Sequence, residues 1–337
     1  MSRLRVRALV LAAGRGERLR PLTDELPKPA LPVAGRPLAS WTLDELSRLG
    51  CEAAAVNLFH LGERLRERLG ESHRGMPLRY SPETQLQGTL GALAPLREFL
   101  ADCDAVLVVN GDSLCRWPLR ALLERHRTSG AAATLLLASR AEPSRFGGGV
   151  RIAADGRLLA LRRGALVAGA ARRGVVFAGA QLLAPRLLAR VPEGPGDLVT
   201  GLYEPLLAEG EVLQTLRTRR SWHDLGTPRR YLDGALERAL TALPENGDWR
   251  GPGSEVARTA RLRRVALETG ARIADRAHAE EVLLLPGAQI GAGAFARRVL
   301  LGPGAELPAG ARAEELLLTR AADGSLVETP LGHGELA

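Results

Sequence analysis

The sequence predicts an α/β protein in two parts: a Rossmann-like, mixed or doubly wound sheet, then a short left-handed parallel β-helix. Three observations carry the prediction. Short apolar runs alternate with helical patterns through the first two thirds of the chain, the signature of strands crossed by helices. Two of those runs, 6–11 and 105–109, lead straight into glycine-containing loops, as strands do where a doubly wound sheet presents its ligand-binding end. After residue 253 the texture changes to a repeat of 17 residues. The organisation read from these features is a sheet domain over 1–243, a linker over 244–252, four repeats over 253–320 and a C-terminal tail over 321–337.

The elements follow in order. Val6 to Leu11 reads as a strand, and Ala12-Ala13-Gly14-Arg15-Gly16 as a Gly-rich turn. A helical pattern over 40–49 stops at Gly50, a natural C-cap. A buried strand over 53–57 and a helix over 63–69 come next, and the apolar run 105–109 ends in Asn110-Gly111-Asp112. The segment from Pro244 to Gly253 is rich in Pro, Gly and polar residues and reads as the linker. In the repeat, Gly253, Gly270, Gly287 and Gly304 recur at a constant interval, each three residues before an aliphatic side chain. Ala260, Ala277, Ala294 and Ala311 keep the same interval, each followed five residues later by Val265, Val282, Val299 or Leu316. Short strands in steps of about six residues, with one side of a three-sided coil shortened, give such a period. A coil stack of this kind also offers a surface for homo-oligomerisation.

Composition excludes several classes. Of 337 residues, 45% are apolar and 25% charged, ordinary for a folded soluble chain. Cys51, Cys103 and Cys115 fit neither a disulfide framework nor a metal clip, so a reducing cytoplasm is expected. No apolar run reaches the length of about 20 residues needed to span a bilayer, and the apolar stretch near the N-terminus runs into Arg15 and Arg18 too soon for a signal peptide. The 46 Lys and Arg outnumber 38 Asp and Glu, a formal charge of +8, but the basic residues are scattered and aromatics make up 4%. Stacking platforms and a basic stripe are missing, so a small anionic substrate is expected rather than nucleic acid. Only one of the basic residues is lysine, Lys28. Lysine and arginine exchange freely on a solvated surface but not where a compact point charge is needed.

Gly14-Arg15-Gly16 after a strand suggests a dinucleotide fingerprint, yet that motif needs a glycine at position 19, where Leu19 stands, and a phosphate-binding loop of the Walker type needs a terminal Gly-Lys-Ser/Thr. The flanks are more informative. Leu11-Ala-Ala-Gly-Arg-Gly-Glu-Arg-Leu-Arg-Pro-Leu-Thr23 and Leu26-Pro-Lys-Pro29 resemble the signature of the sugar-1-phosphate nucleotidyltransferases, the NDP-sugar pyrophosphorylases. Asn57-Leu58, Glu83-Thr-Gln-Leu-Gln-Gly-Thr89, Asn110-Gly111-Asp112 and Trp222-His-Asp224-Leu-Gly-Thr-Pro228 match that family in order, over about residues 5–240, and several branches share a β-helix tail.

The resemblance implies a GT-A-like nucleotidyltransferase domain. Its reaction joins a sugar 1-phosphate to the α-phosphate of a nucleoside triphosphate and releases pyrophosphate. Several negative charges meet in such a reaction, so positioning and neutralisation carry it. By resemblance, Leu11, Ala12, Ala13, Gly14, Arg15 and Gly16 hold the nucleotide together with Glu83, Gly88 and Thr89. Arg18 holds the departing pyrophosphate and Lys28 the α-phosphate, while Asp112 and Asp224 ligate Mg²⁺. Gly179 is carried over to the sugar-phosphate side. The family's second lysine cannot be present, and Arg163 is the residue expected to replace it. His223 is not expected to be a ligand, since neighbours on a strand point opposite ways.

Glu83 falls where the family reads the base, and a carboxylate accepts from guanine N1–H and N2–H₂ together, which favours GTP with mannose 1-phosphate. Uridylyl or thymidylyl transfer to MurNAc 1-phosphate or glucose 1-phosphate stays open. Two other classes stay open as well: a non-catalytic regulator that binds nucleotide sugars, and an acyltransferase using His278 of the repeat.

Overall fold

The computed structural model describes residues 4–140, 149–161, 174–241, 243 and 247–332. They fall into two compact units that do not follow sequence order: Met1–Gly14 with Ala39–Trp222, and Arg15–Leu38 with His223–Ala337.

The first unit is built on a mixed sheet. Its strands are β1 (Val6–Leu11), β2 (Ala53–Leu58), β3 (Met76–Pro82), β4 (Ala105–Asn110), β5 (Ala133–Arg140), β6 (Gly174–Leu183) and β7 (Leu213–Thr218), in the spatial order β7-β5-β6-β4-β1-β2-β3. The helices α1 (Leu38–Leu49), α2 (Gly62–Leu69) and α3 (Leu119–Ser129) join them. β1 runs parallel to both β2 and β4, whereas β6 is antiparallel to both its neighbours. Ala8, Leu9 and Val10 are all fully buried, because a central parallel strand is covered on both faces. One core gathers Leu9, Ala55, Val106, Val108, Leu135 and Leu137 with Leu93, Leu100 and Tyr203.

The chain moves outward from β1 through β2 to β3, then returns to place β4 on the other side of β1. That reversal is a topological switch point, where the loops after two adjacent parallel strands diverge and leave a crevice. The Gly-rich turn after β1 and Asn110-Gly111-Asp112 after β4 are those two loops. The α/β reading of the sequence agrees with this sheet.

The second unit is strand-rich. After α4 (Pro228–Leu240) come β8 (Asp248–Arg250), β9 (Glu255–Val256), β10 (Arg261–Leu267), β11 (Arg272–Ile273), β12 (His278–Leu284), β13 (Gln289–Ile290), β14 (Phe295–Arg297), β15 (Leu300–Leu301), β16 (Glu306–Leu307), β17 (Arg312–Glu314), β18 (Leu316–Arg320) and β19 (Leu326–Pro330). Every parallel pairing from β8 to β18 is offset by 17 residues: Asp248 with Val265, Val265 with Val282, Leu283 with Leu300, Glu255 with Arg272, His278 with Phe295. The repeat is thus a stack of parallel rungs. Val265, Val282, Val299 and Leu318 fill its interior with Ile273, Ile290 and Leu307. Gly253, Gly270, Gly287 and Gly304 all take φ between 62° and 68° or, for Gly287, 72°, the left-handed turn that a side chain resists.

Two segments differ in structure from their sequence reading. The stretch read as a linker contributes β8, which is a further rung, and the tail contributes β19, antiparallel to β18. Ala266, Leu283, Leu300 and Leu317 alternate away from the interior, yet none is more than 1% exposed. α4 lies against β10 and β12, and Leu22 reaches Gly302, where an added Cβ would meet its Cδ2 at 3.4 Å. The outer face of the stack is therefore a platform for α4 and for the segment Arg15–Leu38.

Candidate functional site

In the first unit, the turn after β1 is held by side chains from two other strands' ends. The Ala12 N–H donates to Asn57 Oδ1 at 2.7 Å, Asn57 Nδ2 donates to Glu83 Oε1 at 2.7 Å, and the Gln87 N–H donates to Glu83 Oε2 at 2.9 Å. Asn57 and Glu83 thus tie the Gly-rich turn to the 83–91 loop. Both Glu83 oxygens already carry a donor, so the carboxylate expected to read guanine is engaged in fixing the loops. Each oxygen retains acceptor capacity.

The 83–91 loop packs tightly on residues 194–198. A Cβ at Gly88 would stand 2.4 Å from the Gly196 carbonyl oxygen, and Gly88 has φ 69°. Thr89 Oγ1 donates to Asp197 Oδ2 at 3.3 Å and accepts from the Leu198 N–H at 2.9 Å. Gly88 and Thr89 therefore have a packing reason to be where they are.

Leu11 faces Asn110 across the β1–β4 pairing, and the Gly111 N–H donates to the Leu11 carbonyl at 2.9 Å. A Cβ on Gly111 would sit 2.7 Å from Val10 Cγ1, so glycine is required for the two loops to lie side by side. Asp112 follows, half-buried, with Ser113 Oγ 3.4 Å from its Oδ1. Gly179 lies at the irregularity in β6, with φ 76° and a Cβ position 3.4 Å from Asn110 Cβ. Leu11, Ala12, Ala13, Gly14, Asp112 and Gly179 thus gather at one end of the sheet.

In the second unit, Lys28 and Arg18 lie near one carboxylate, Asp224. Lys28 opens a short 3₁₀ turn, Lys28–Ala30, and is buried at 6% exposure, with Nζ 3.5 Å from Asp224 Oδ1. Arg230 Nη1 lies 3.2 Å from Asp224 Oδ2. Arg18, exposed on the 3₁₀ turn Glu17–Leu19, reaches the same place: a Cβ on Gly226 would meet Arg18 Nη2 at 2.8 Å and Asp224 Oδ1 at 3.0 Å. A buried lysine is tolerated when a carboxylate faces it.

The turn that presents Arg18 is closed by Thr23, whose Oγ1 donates to the Gly16 carbonyl at 2.9 Å. Gly16 has φ 66°, and a Cβ there would meet Thr23 Cγ2 at 2.9 Å. Arg15 is exposed, 4.0 Å from Glu17. His223 turns to Glu237 at 2.8 Å while Asp224 faces the cations, the alternation expected of strand neighbours. Thr227 caps α4, and Pro228 occupies the first turn.

Arg163 lies outside the described residues. Arg230 escaped the sequence reading, and Gly226 stood in a quoted motif without a role. The Thr-Pro-Arg-Arg run just inside a helix start was the available signal for Arg230, but one arginine in a chain this rich in arginine carries no weight by itself.

Residues 7–161 match the nucleotidyl transferase family. The chain is 28% identical over 232 residues to the mannose-1-phosphate guanylyltransferase catalytic subunit beta of Dictyostelium discoideum, covering 68% of this chain and 63% of the relative. It is 30% identical over 237 residues to the probable mannose-1-phosphate guanylyltransferase 2 of Arabidopsis thaliana, covering 68% and 64%. The chain thus spans less than two thirds of the length of either relative. Among solved structures, HddC from Yersinia pseudotuberculosis shares the fold, with a TM-score of 0.58 at 18% identity over 68% of this chain and 97% of that one. The similarity to the nucleotidyl transferase family thus covers the segment 7–161, which carries the Gly-rich turn and Asn110-Gly111-Asp112 on the loops at the switch point.

Proposed function

We propose that the protein is an enzyme that joins a sugar 1-phosphate to the α-phosphate of a nucleoside triphosphate and releases pyrophosphate, with mannose 1-phosphate and GTP as its pair. The observation that carries this reading is the pairing of Lys28 and Arg230 with Asp224, with the Arg18 guanidinium close by on the other side of Gly226. The guanylyltransferase names of the relatives support the base and the sugar.

In this reading, the sugar phosphate's own anionic oxygen attacks the α-phosphorus, the bond to the bridging oxygen breaks, and pyrophosphate departs. The nucleophile is already ionised, so no side chain has to take a proton, and charge neutralisation is the task left to the protein. Lys28 serves as a compact charge that follows the α-phosphate oxygens, and Arg18 offers a fork of donors to pyrophosphate. The turn 11–16 offers backbone N–H groups to the triphosphate, where a side chain would intrude.

Mg²⁺ suits the carboxylates assigned to it. Both Asp112 and Asp224 present hard oxygen, the donor that Mg²⁺ prefers. Asp112 and Asp224 would hold the ion, which supplies neutralising charge to phosphate oxygens when bound. Arg163 remains our choice for the sugar phosphate. We also read the stacked rungs as a left-handed β-helix over 253–320 behind a nucleotidyltransferase domain at 1–243, a surface for homo-oligomerisation. The cysteine count and spacing support a cytoplasmic site.

The test is a matrix of GTP, UTP, dTTP, CTP and ATP against mannose, glucose and MurNAc 1-phosphates, read by pyrophosphate release. GTP with mannose 1-phosphate gives the highest kcat/KM. Equal or better turnover of UTP or dTTP removes the guanine assignment, and release from no pair leaves the nucleotide-sugar-binding regulator in its place.

A further inference from the structure

The loop that carries Glu83, Gly88 and Thr89 is shaped by a segment far along the chain, 194–203, within the same unit. The two lie backbone to backbone. The Gly196 N–H donates to the Gln87 carbonyl at 2.9 Å, and the Leu90 N–H donates to the Gly196 carbonyl at 3.0 Å. The approach leaves no room for side chains: a Cβ on Gly88 would stand 2.4 Å from the Gly196 carbonyl oxygen, and one on Gly91 2.3 Å from that of Gly194. Leu90, 1% exposed, projects between Gly196 and Gly201, where added Cβ atoms would meet its Cδ2 at 3.3 Å and 2.5 Å.

This mould is itself rooted in the sheet. Val199–Tyr203 form one turn of π-helix, a geometry rare in helices and frequent at functional sites. The turn ends on Tyr203, which is buried and donates its hydroxyl to Oε1 of the buried Gln181 of β6 at 2.7 Å.

Asp197 stands where loop and mould meet, and its carboxylate serves both. Oδ1 accepts the N–H groups of Val199 at 2.9 Å and Thr200 at 3.2 Å, the local turn that an aspartate offers its own backbone. Oδ2 accepts the Thr89 hydroxyl at 3.3 Å, and that hydroxyl oxygen accepts the Leu198 N–H at 2.9 Å. The arrangement needs two acceptor oxygens on one side chain. An amide would keep the Oδ1 bonds but turn an NH₂ toward Thr89, leaving the hydroxyl proton without its acceptor. Shaping the turn alone therefore gives no reason for an acid at 197. From Thr89 the connection runs on to the base side, since the Gln87 N–H ends on Glu83 Oε2 and Asn57 Nδ2 on Glu83 Oε1. A shift of residues 87–90 moves Glu83 with them.

We infer that Asp197 is a positioning residue for the nucleotide: its Oδ2, through the Thr89 hydroxyl, holds the 83–91 loop in the 194–203 mould and so sets where Glu83 and Gly88 meet the base. The inference rests on the reading of Glu83, Gly88 and Thr89 as residues that hold the nucleotide. Asp197 acts through Thr89 rather than on the substrate, so its removal loosens nucleotide binding and leaves the chemical step in place.

The experiment uses the full chain with Asp197→Asn, which gives up only the Oδ2 bond, Thr89→Val, which keeps the shape and gives up the hydroxyl, and the double variant. Asp197→Asn raises KM for GTP about tenfold, with kcat and KM for mannose 1-phosphate within about threefold. The double variant is no worse than Thr89→Val alone, because both changes cut one link. Backbone hydrogen exchange without substrates speeds up over 87–91 in Asp197→Asn and keeps its wild-type rate over β1 and β4. A wild-type KM for GTP in Asp197→Asn overturns the inference, and so do equal rises in both KM values, the mark of a general loss of structure. Effects that multiply in the double variant overturn the route through Thr89. If no nucleotide pair releases pyrophosphate, the functional reading has failed, and GTP affinity by calorimetry with exchange over 87–91 still decides the link: unchanged values in Asp197→Asn overturn it. Should Asp197→Asn not fold, Thr89→Val carries the same readings.

Discussion

Lys28 illustrates how a residue's chemistry is read from what the rest of the chain avoids. Where arginine serves everywhere else, a single lysine marks a place where reach and compactness matter, and its burial 3.5 Å from Asp224 gives that place a structure. Arg230 pairs with the same carboxylate but was invisible in the sequence, because residue type alone cannot separate it from its many equivalents. Glu83 shows the reverse. Its position was legible, but its two hydrogen bonds to Asn57 and Gln87 depend on where three loops end.

Lys28→Arg will lower kcat by about tenfold or more with the fold intact by circular dichroism, since a guanidinium cannot keep the same reach in a buried slot. Asp112→Asn will abolish most turnover in Mg²⁺ while nucleotide binding, followed by calorimetry, survives better than turnover. Asn57→Ala will raise KM for the nucleotide more than it lowers kcat, because it frees the Ala12 N–H and unties Glu83.

The repeat was legible because each rung must place an aliphatic side chain inside at the same step, so period and core are one signal. The linker reading missed β8 because three residues flanked by Pro and Gly carry no periodicity of their own. Their strand character comes from the pairing of Asp248–Arg250 with Val265–Leu267, a tertiary effect. Charges on the rungs alternate as well: Arg263, Glu280, Arg297 and Glu314 occupy equivalent positions, and Arg263 pairs with Glu280 as Arg297 does with Glu314. These pairs are partly exposed and set register more than stability. Urea unfolding will separate the two contributions. Leu284→Ala, at a side chain with 0% exposure, will cost about 2–5 kcal/mol, whereas Glu280→Ala will cost under about 1 kcal/mol.

Over the whole molecule, the sequence showed a sheet part and a repeat part but not that residues Arg15–Leu38 belong with the later one. Nothing local announces this membership, because it depends on side chains such as Leu22 and the Ala34–Gly35 turn finding partners more than two hundred residues away. Deleting the chain beyond residue 243 will therefore inactivate the remainder, with the loss visible as exposed apolar surface by dye binding. Stability will also depend on pH through Glu268. Its carboxyl titrates at about 7 in the fold against 4.5 ordinarily, so the stability it contributes is full below about 4.5 and is lost as pH rises through about 7. The wild-type minus Glu268→Gln difference in unfolding free energy will fall across that window by up to about 3 kcal/mol.

The division of the chain also sets an order of events in biosynthesis. The signature segment leaves the ribosome well before the rungs and the helix it docks on, so it must wait through the synthesis of the intervening residues 39–222. The long closure this demands is the slow, entropically costly kind of contact. A nascent chain can complete most of its sheet and still hold Lys28 in solution until the strands that follow residue 248 emerge.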